Sequence, residues 1–286
     1  MREESKIVLG TVQFGIPYGI NNKQGVPVDW EIKELFSYAA LSGIQILDTA
    51  SGYGNSEEKI GKLSENKFEI VTKFSRVLSA AELKKSLDNS LNNLKLNAVY
   101  GYIAHSADNL IEYPDLWNEL LEKKHEKIIK KIGYSLYFPE QLERLLDLNF
   151  YPDLVQLPYS ILDKKFEKFL PILRQLGTEV HIRSVFLQGL YFMDLSNLPK
   201  KLQPLQPELL KVQEICKMFD IPIASLALNF AIQNDNIDKI LIGVDNVLQL
   251  KENIKLSIDP NYNTSISEKI NEIQVSYPLL LNPAVW

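Results

Sequence analysis

From residue 6 to residue 256, short apolar runs alternate with stretches whose apolar residues recur every third or fourth position. Eight of the runs read as strands: KIVLGT (6–11), IQILDT (44–49), FEIVTKF (68–74), AVYGYIAH (98–105), IIKKIGYS (128–135), PDLVQL (152–157), TEVHIRS (178–184) and IDKILIG (237–243). Their near-continuous apolar character is that of parallel strands covered on both faces. Between them the pattern predicts amphipathic helices. Over 79–94, Leu83, Leu87, Leu91 and Leu94 make one stripe; over 29–42, Ile32, Leu35, Phe36, Ala39 and Ala40 make another behind Asp29 as N-cap.

Strand, right-handed crossover helix and parallel strand, repeated eight times, close into a (β/α)8 barrel, an α/β fold of the TIM-barrel class. A doubly wound sheet is the alternative, but the first strand-to-helix turn lacks G-x-G-x-x-G. No Pro/Gly/Ser-rich linker divides the chain, so residues 1–286 are expected to form one domain. The long connection 185–236 holds two helical patterns, 205–219 and 222–233, with Pro222 near the first turn of the second. Beyond a helix at 246–256 about 30 residues remain, ending in YPLLLNPAVW. This C-terminal extension is expected to pack on the barrel and offers a wall for a pocket.

Composition narrows the picture mainly by exclusion. A hydrophobic fraction of 45% with 23% charged residues belongs to an ordinary globular protein able to bury a large core. The net charge of -5 is spread along the chain, and the basic cluster Lys123, Lys124, Lys127, Lys130 and Lys131 is interleaved with acids and apolar residues, so no nucleic-acid surface is expected. No signal-peptide pattern opens the chain and no apolar run is long enough to span a bilayer. With a single cysteine, Cys216, read as core, the expectation is a cytoplasmic protein with no membrane partner. His125 reads as a solvated helix position, His181 lies within the seventh strand, and Trp30 and Trp117 read as core or interface. The three histidines and one cysteine show no metal-ligand spacing.

Barrel enzymes work from the C-terminal ends of their strands. Four ionisable residues fall there in order: Asp48 closes the second strand, Tyr53 follows it between Gly52 and Gly54, Lys73 closes the third strand and His105 the fourth. Singly, each has an ordinary structural reading as a turn cap, a packed loop residue, a solvated cation or a satisfied imidazole. Four compatible types on adjacent strands instead make a proton-donor site. A lysine ammonium beside a tyrosine hydroxyl lowers its pKa, Asp48 holds Lys73 in place, and a neutral His105 orients a carbonyl oxygen. Reduction of that carbonyl needs hydride, which no side chain supplies. The loops after strands seven and eight, 184–190 and 243–254, carry Gly189 and Gly243 for close approach to a phosphate, and Asn246 as a helix N-cap.

The stretches LDTASGYGNSEEKIG, VTKF, YIAHSAD, KKIGYS, LVQLPYS and ILIGVDNVLQLKEN, in that order, resemble the aldo-keto reductase family over nearly the whole chain. The resemblance implies a barrel that binds NADP or NAD without a Rossmann fold and reduces carbonyls, with the tetrad Asp48, Tyr53, Lys73 and His105 and with Tyr53 as general acid. It also implies that Ser135 and Gln156 hold the nicotinamide carboxamide, with Gly10 and Thr11 near its ribose. Residues 184–189, among them Ser184, Phe186, Gln188 and Gly189, follow the pyrophosphate. By the same resemblance Gly243, Val244, Asp245 and Gln249 would also bind the cofactor, and Glu252 and Asn253 would meet its adenine.

Four positions depart from the family. Leu136 stands where an asparagine usually follows Ser135. Arg183 replaces an aromatic residue that stacks on the nicotinamide, and its planar guanidinium is able to stack instead. Asp245, with Gln249 at the usual arginine position, suits a ribose hydroxyl better than a 2′-phosphate, so NAD stays open beside NADP. For the substrate, a small carbonyl compound, the loop 13–25 offers Phe14, Tyr18, Asn21 and Asn22 beside Tyr53 and His105, a mixture suited to a sugar-derived molecule. A cofactor-loaded regulatory subunit and an epimerase using the nicotinamide transiently are the rival readings; oligomeric state is not legible.

Overall fold

The computed structural model describes residues 5–19, 22 and 24–286. Eight strands form a closed barrel: β1 (Ile7–Gly10), β2 (Ile46–Asp48), β3 (Glu69–Phe74), β4 (Val99–Ala104), β5 (Ile129–Ser135), β6 (Leu154–Pro158), β7 (Glu179–Arg183) and β8 (Lys239–Gly243). Every neighbouring pair is parallel, and β8 pairs with β1. The helices that matter below, in chain order, are α1 (Val12–Gly15), α2 (Asp29–Leu41), α3 (Ser56–Leu63), α4 (Ala80–Leu94), α5 (Ala107–Glu112), α6 (Asp115–His125), α7 (Pro139–Asp147), α8 (Leu170–Gln175), α9 (Gln206–Phe219), α10 (Ile223–Ile232), α11 (Val247–Leu256) and α12 (Thr264–Asn271). The (β/α)8 expectation is met, each strand ending within two residues of the apolar run that predicts it.

Side chains alternate across a strand, and here both faces are apolar for different reasons. Outward-facing Leu9, Leu47, Ile70, Val155, Ile182 and Ile240 pack against helix stripes such as Leu83, Leu87 and Leu94 of α4. Inward-facing Val8, Ile46, Val71, Ile103 and Leu154 form a separate plug that fills the barrel. Burying one such side chain fully contributes about 1.5–3 kcal/mol, so the plug supports the mouth above it as a rigid floor.

Some local expectations change. Val28, not Asp29, is the N-cap of α2: Asp29 already has helical backbone and its carboxylate takes Lys62 Nζ at 2.7 Å, while Glu31 reaches back to the Val28 N–H at 2.9 Å. Pro222, expected near the first turn of its helix, is the N-cap of α10. Trp30 is 66% exposed and so is not core, whereas Trp117 is buried and stacks on Phe150 at 5.1 Å. Cys216 is half-buried, and burial pushes its thiol up to about 11. His125 is exposed; His181 is buried and meets Glu179 at 2.5 Å.

The C-terminal extension packs through Ile266 and Ile270 of α12 and carries Asn282 and Pro283 to the mouth of the barrel. Among the described residues no single helix is long and apolar enough to cross a membrane, and no cluster of three potential metal ligands occurs.

Candidate active site

The side-chain period of a strand is two, so the residue two positions beyond each plug residue faces the same way, one layer higher. From Val8, Ile46, Val71, Ile103 and Leu154 that step leads to Gly10, Asp48, Lys73, His105 and Gln156. The other three strands contribute Ser135, Arg183 and Gly243. One residue from each strand thus rings the C-terminal mouth, and all eight line a cavity of about 810 Å³. Lys73 is the last but one residue of β3, and His105 stands just beyond β4, its N–H donating to the Phe74 carbonyl at 3.0 Å.

Asp48 and Lys73 are 3% and 2% exposed. Lys73 Nζ donates to Asp48 Oδ1 at 2.6 Å and to the Thr49 carbonyl at 2.8 Å, and Gln156 Nε2 donates to Asp48 Oδ2. Burial lowers the Lys73 pKa from the ordinary lysine range, and Asp48 opposes that shift. The pair is therefore fully desolvated, and its charges are held by each other rather than by water.

Tyr53 is delivered by a loop pinned at both ends. The Ser56 hydroxyl, at the start of α3, donates to the Thr11 carbonyl at 2.9 Å and accepts from Thr49 Oγ1 at 3.1 Å. Gly54 has φ 57°, and a Cβ there would lie 2.5 Å from the Gly15 carbonyl oxygen, so only glycine lets the loop close onto α1. The Tyr53 ring then meets His105 edge to face at 5.8 Å, with Lys73 Nζ 5.3 Å from its centroid. Burial raises the phenol's pKa above the ordinary range, the Asp48 charge adds to this, and Arg183 acts in the opposite direction. Burial thus outweighs the lowering expected from a neighbouring ammonium, and Lys73 is itself hydrogen-bonded to Asp48 and Thr49.

Burial lowers His105 to about 4, with Lys73 and Arg183 pushing the same way and Asp48 against them. The imidazole is neutral at physiological pH. Because the unfolded chain binds this proton near 6.5 and the folded chain near 4, the contribution is complete above 6.5 and is lost as pH falls towards 4. In His105→Gln the urea midpoint is expected to decline less than in wild type over that window; parallel declines would show that the histidine is not held neutral.

The expected cofactor residues Thr11, Ser184, Phe186, Gln188, Gly189, Asp245, Gln249, Glu252 and Asn253 all line the same cavity. Val244 does not: between Gly243 and Asp245 its side chain turns into the core and is 1% exposed. Ser184, Leu187, Gln188 and Gly189 have positive φ, giving the tight turn after β7, and Gln188 Nε2 donates to the Tyr18 hydroxyl at 2.6 Å across the mouth. Tyr18 thus lines the cavity as expected, but Phe14 does not; α1 turns its ring into the core against Phe36 at 5.6 Å. Asn22 lines the cavity and spends its side chain on its own loop, accepting from the Gly25 N–H at 2.8 Å; Asn21 lies outside the described residues.

Leu136 is buried, so the position after Ser135 brings only its carbonyl, which accepts from Arg183 Nη2 at 2.9 Å. Tyr137, missed by the motif, lines the cavity with Arg183 over its ring at 4.3 Å. Asn282 and Pro283 line it too, from the C-terminal extension expected to wall a pocket. At the far end, the Asp245 N–H donates to Gln249 Oε1 at 2.8 Å and Gln249 Nε2 donates to Asp245 Oδ2 at 3.3 Å. Asn246 caps α11, and Lys251 points away, over the Tyr38 ring of α2 at 5.2 Å.

Residues 6–274 match the model of the aldo/keto reductase family. The chain is similar to an L-galactose dehydrogenase of Arabidopsis thaliana, 27% identical over 74% of this chain and 73% of that protein. It is similar also to an NADH-specific methylglyoxal reductase of Escherichia coli, 28% identical over 74% and 78%. In fold it is like an aldo-keto reductase of Bacillus halodurans in its holo form, with a TM-score of 0.79 at 20% identity over 96% of this chain and 95% of that one.

Proposed function

The chain belongs to the aldo/keto reductase family and is an NAD(P)H-dependent oxidoreductase, and from that premise we propose that it reduces a small polar aldehyde or ketone to the alcohol, with Tyr53 as the proton donor. The observation that carries the reading is the Tyr53 phenol set against a neutral His105 above the buried Asp48–Lys73 pair, all facing one cavity.

The residues present fit a nicotinamide. Gln156 Oε1 is buried with no hydrogen-bond partner, an acceptor suited to the carboxamide NH2, and Ser135 stands next to it on the ring. When bound, the reduced cofactor supplies hydride to the carbonyl carbon. The protein's own groups then act on the oxygen. His105 donates a hydrogen bond that orients it, and Tyr53 delivers its proton as negative charge develops there. A phenol of raised pKa is still more acidic than an alcohol, so the transfer runs towards product. Lys73 keeps a positive charge beneath the ring while Tyr53 is a phenolate, and the open mouth lets solvent restore the proton.

NAD is the better fit at the adenosine end. Asp245 is fixed by Gln249, where a carboxylate accepts from a ribose hydroxyl and repels a 2′-phosphate, and Lys251 is turned towards α2. The NADH specificity in the name of the Escherichia coli relative agrees with this reading. Gln249→Arg, which frees Asp245 and adds a bidentate phosphate ligand, is expected to tighten NADPH binding at least about tenfold. Fluorescence titration measures it, and an unchanged Kd would show that this loop does not meet the 2′ position.

The proposal is tested by following the reduced-nicotinamide absorbance with aldehydes, ketones and sugars, methylglyoxal and galactose-derived carbonyls included. Oxidation stoichiometric with alcohol formed is expected. Tight binding of cofactor with no net turnover of any carbonyl would defeat the reductase reading in favour of a regulatory or epimerase role.

A further inference from the structure

Of the two cations on the ring of eight, one is neutralised and one is not. Lys73 is matched by Asp48 at 2.6 Å. Arg183 has no such counterion: among the described residues no carboxylate lies within ion-pair distance of its guanidinium. Asp48 is saturated by Lys73 and Gln156, and Asp163 is taken by Lys165 at 2.5 Å. The guanidinium is instead held by neutral groups, its Nη2 on the Leu136 carbonyl at 2.9 Å and its plane over Tyr137 at 4.3 Å. It cannot easily swing out to water, and it lines the cavity.

Its charge reaches the reacting groups. Arg183 lowers the pKa values of Tyr53, His105, Lys73 and Tyr18 alike. It ends β7 beside β6, whose Gln156 offers the unpaired acceptor that would hold the carboxamide, so the cavity wall next to that acceptor carries the Arg183 cation. Reduced nicotinamide is uncharged on that ring and the oxidised form is a pyridinium cation. A fixed, uncompensated cation in a partly desolvated pocket discriminates between them by Coulomb repulsion.

We propose that Arg183 makes the pocket hold the reduced cofactor in preference to the oxidised one, so that the protein is loaded with hydride donor and releases the oxidised form after turnover. The inference rests on the nicotinamide reading of the cavity. Pyrophosphate, ribose and adenine are the same in both redox forms, so their contacts cancel in the ratio of the two dissociation constants. What remains is the ring charge. The pairing also separates two features of Arg183: Arg183→Lys keeps the cation without the planar stack, and Arg183→Met keeps the length without the cation.

The experiment is the Kd of NADH and of NAD+, and of NADPH and NADP+, for wild type and both variants, by tryptophan fluorescence or equilibrium dialysis at two salt concentrations. Wild type is expected to bind the reduced form of the preferred pair at least about tenfold more tightly, a shift of about 30 mV in the potential of the bound two-electron couple. Arg183→Met is expected to lose most of that preference, chiefly by tightening the oxidised form, and Arg183→Lys to keep it. If both forms bind and the ratio is unchanged in Arg183→Met, the inference fails while the nicotinamide reading stands. Binding of neither pair by wild type overturns the reading and the inference with it.

Discussion

Tyr53→Phe is expected to lower kcat/KM for carbonyl reduction by about 10²–10⁴-fold, the range of a lost general acid, with the Kd for reduced cofactor unchanged. The substitution removes one oxygen. It leaves the ring in its edge-to-face contact with His105 at 5.8 Å and over the Lys73 ammonium at 5.3 Å, so the loop has no reason to move. It also leaves Gln156, Ser135 and the loop after β7 untouched. Pre-steady-state traces should show cofactor binding at the normal rate followed by slow hydride transfer, because the alkoxide forming at the substrate has only His105 to stabilise it. A kcat within a few-fold of wild type would remove Tyr53 from the proton path, leaving His105, neutral and hydrogen-bonding, as the next group to test.

Much of this site is legible before any coordinate because one rule governs it. Strand alternation places Gly10, Asp48, Lys73, His105, Ser135, Gln156, Arg183 and Gly243 on one layer, and each apolar run ends on the residue concerned or one position past it. The same count, carried two residues past Ser135, reaches Tyr137, which lies beyond the apolar run that marks the strand. Off the strands the rule lapses. Phe14 and Tyr18 are both aromatic residues of one loop, yet α1 turns Phe14 into the core and leaves Tyr18 at the mouth, and no local pattern separates them. Asn282 and Pro283 reach the cavity from a tail without periodicity, so only tertiary packing reveals them. The sign of the Tyr53 shift is another case: the neighbouring Lys73 is visible in sequence, but the burial of the phenol, which is the largest cause of the shift, is not.

Lys73→Met is expected to destabilise the empty protein by about 3–5 kcal/mol, the cost of leaving one partner of a buried ion pair uncompensated. Asp48 would stay 3% exposed, with Gln156 Nε2 as its remaining donor, on the floor of a pocket walled by the plug. The double variant Asp48→Asn/Lys73→Met removes both charges and should be more stable than Lys73→Met alone, a non-additivity that distant sites do not show. Urea unfolding of the four proteins measures this cycle. A loss below about 1 kcal/mol for Lys73→Met, typical of exposed pairs, would mean that water screens the pair and that the floor of the site is wetter than its burial implies. The contrary result carries a functional consequence, since the pair that keeps a cation beneath Tyr53 in a dry barrel is also the one whose halves the fold cannot lose separately.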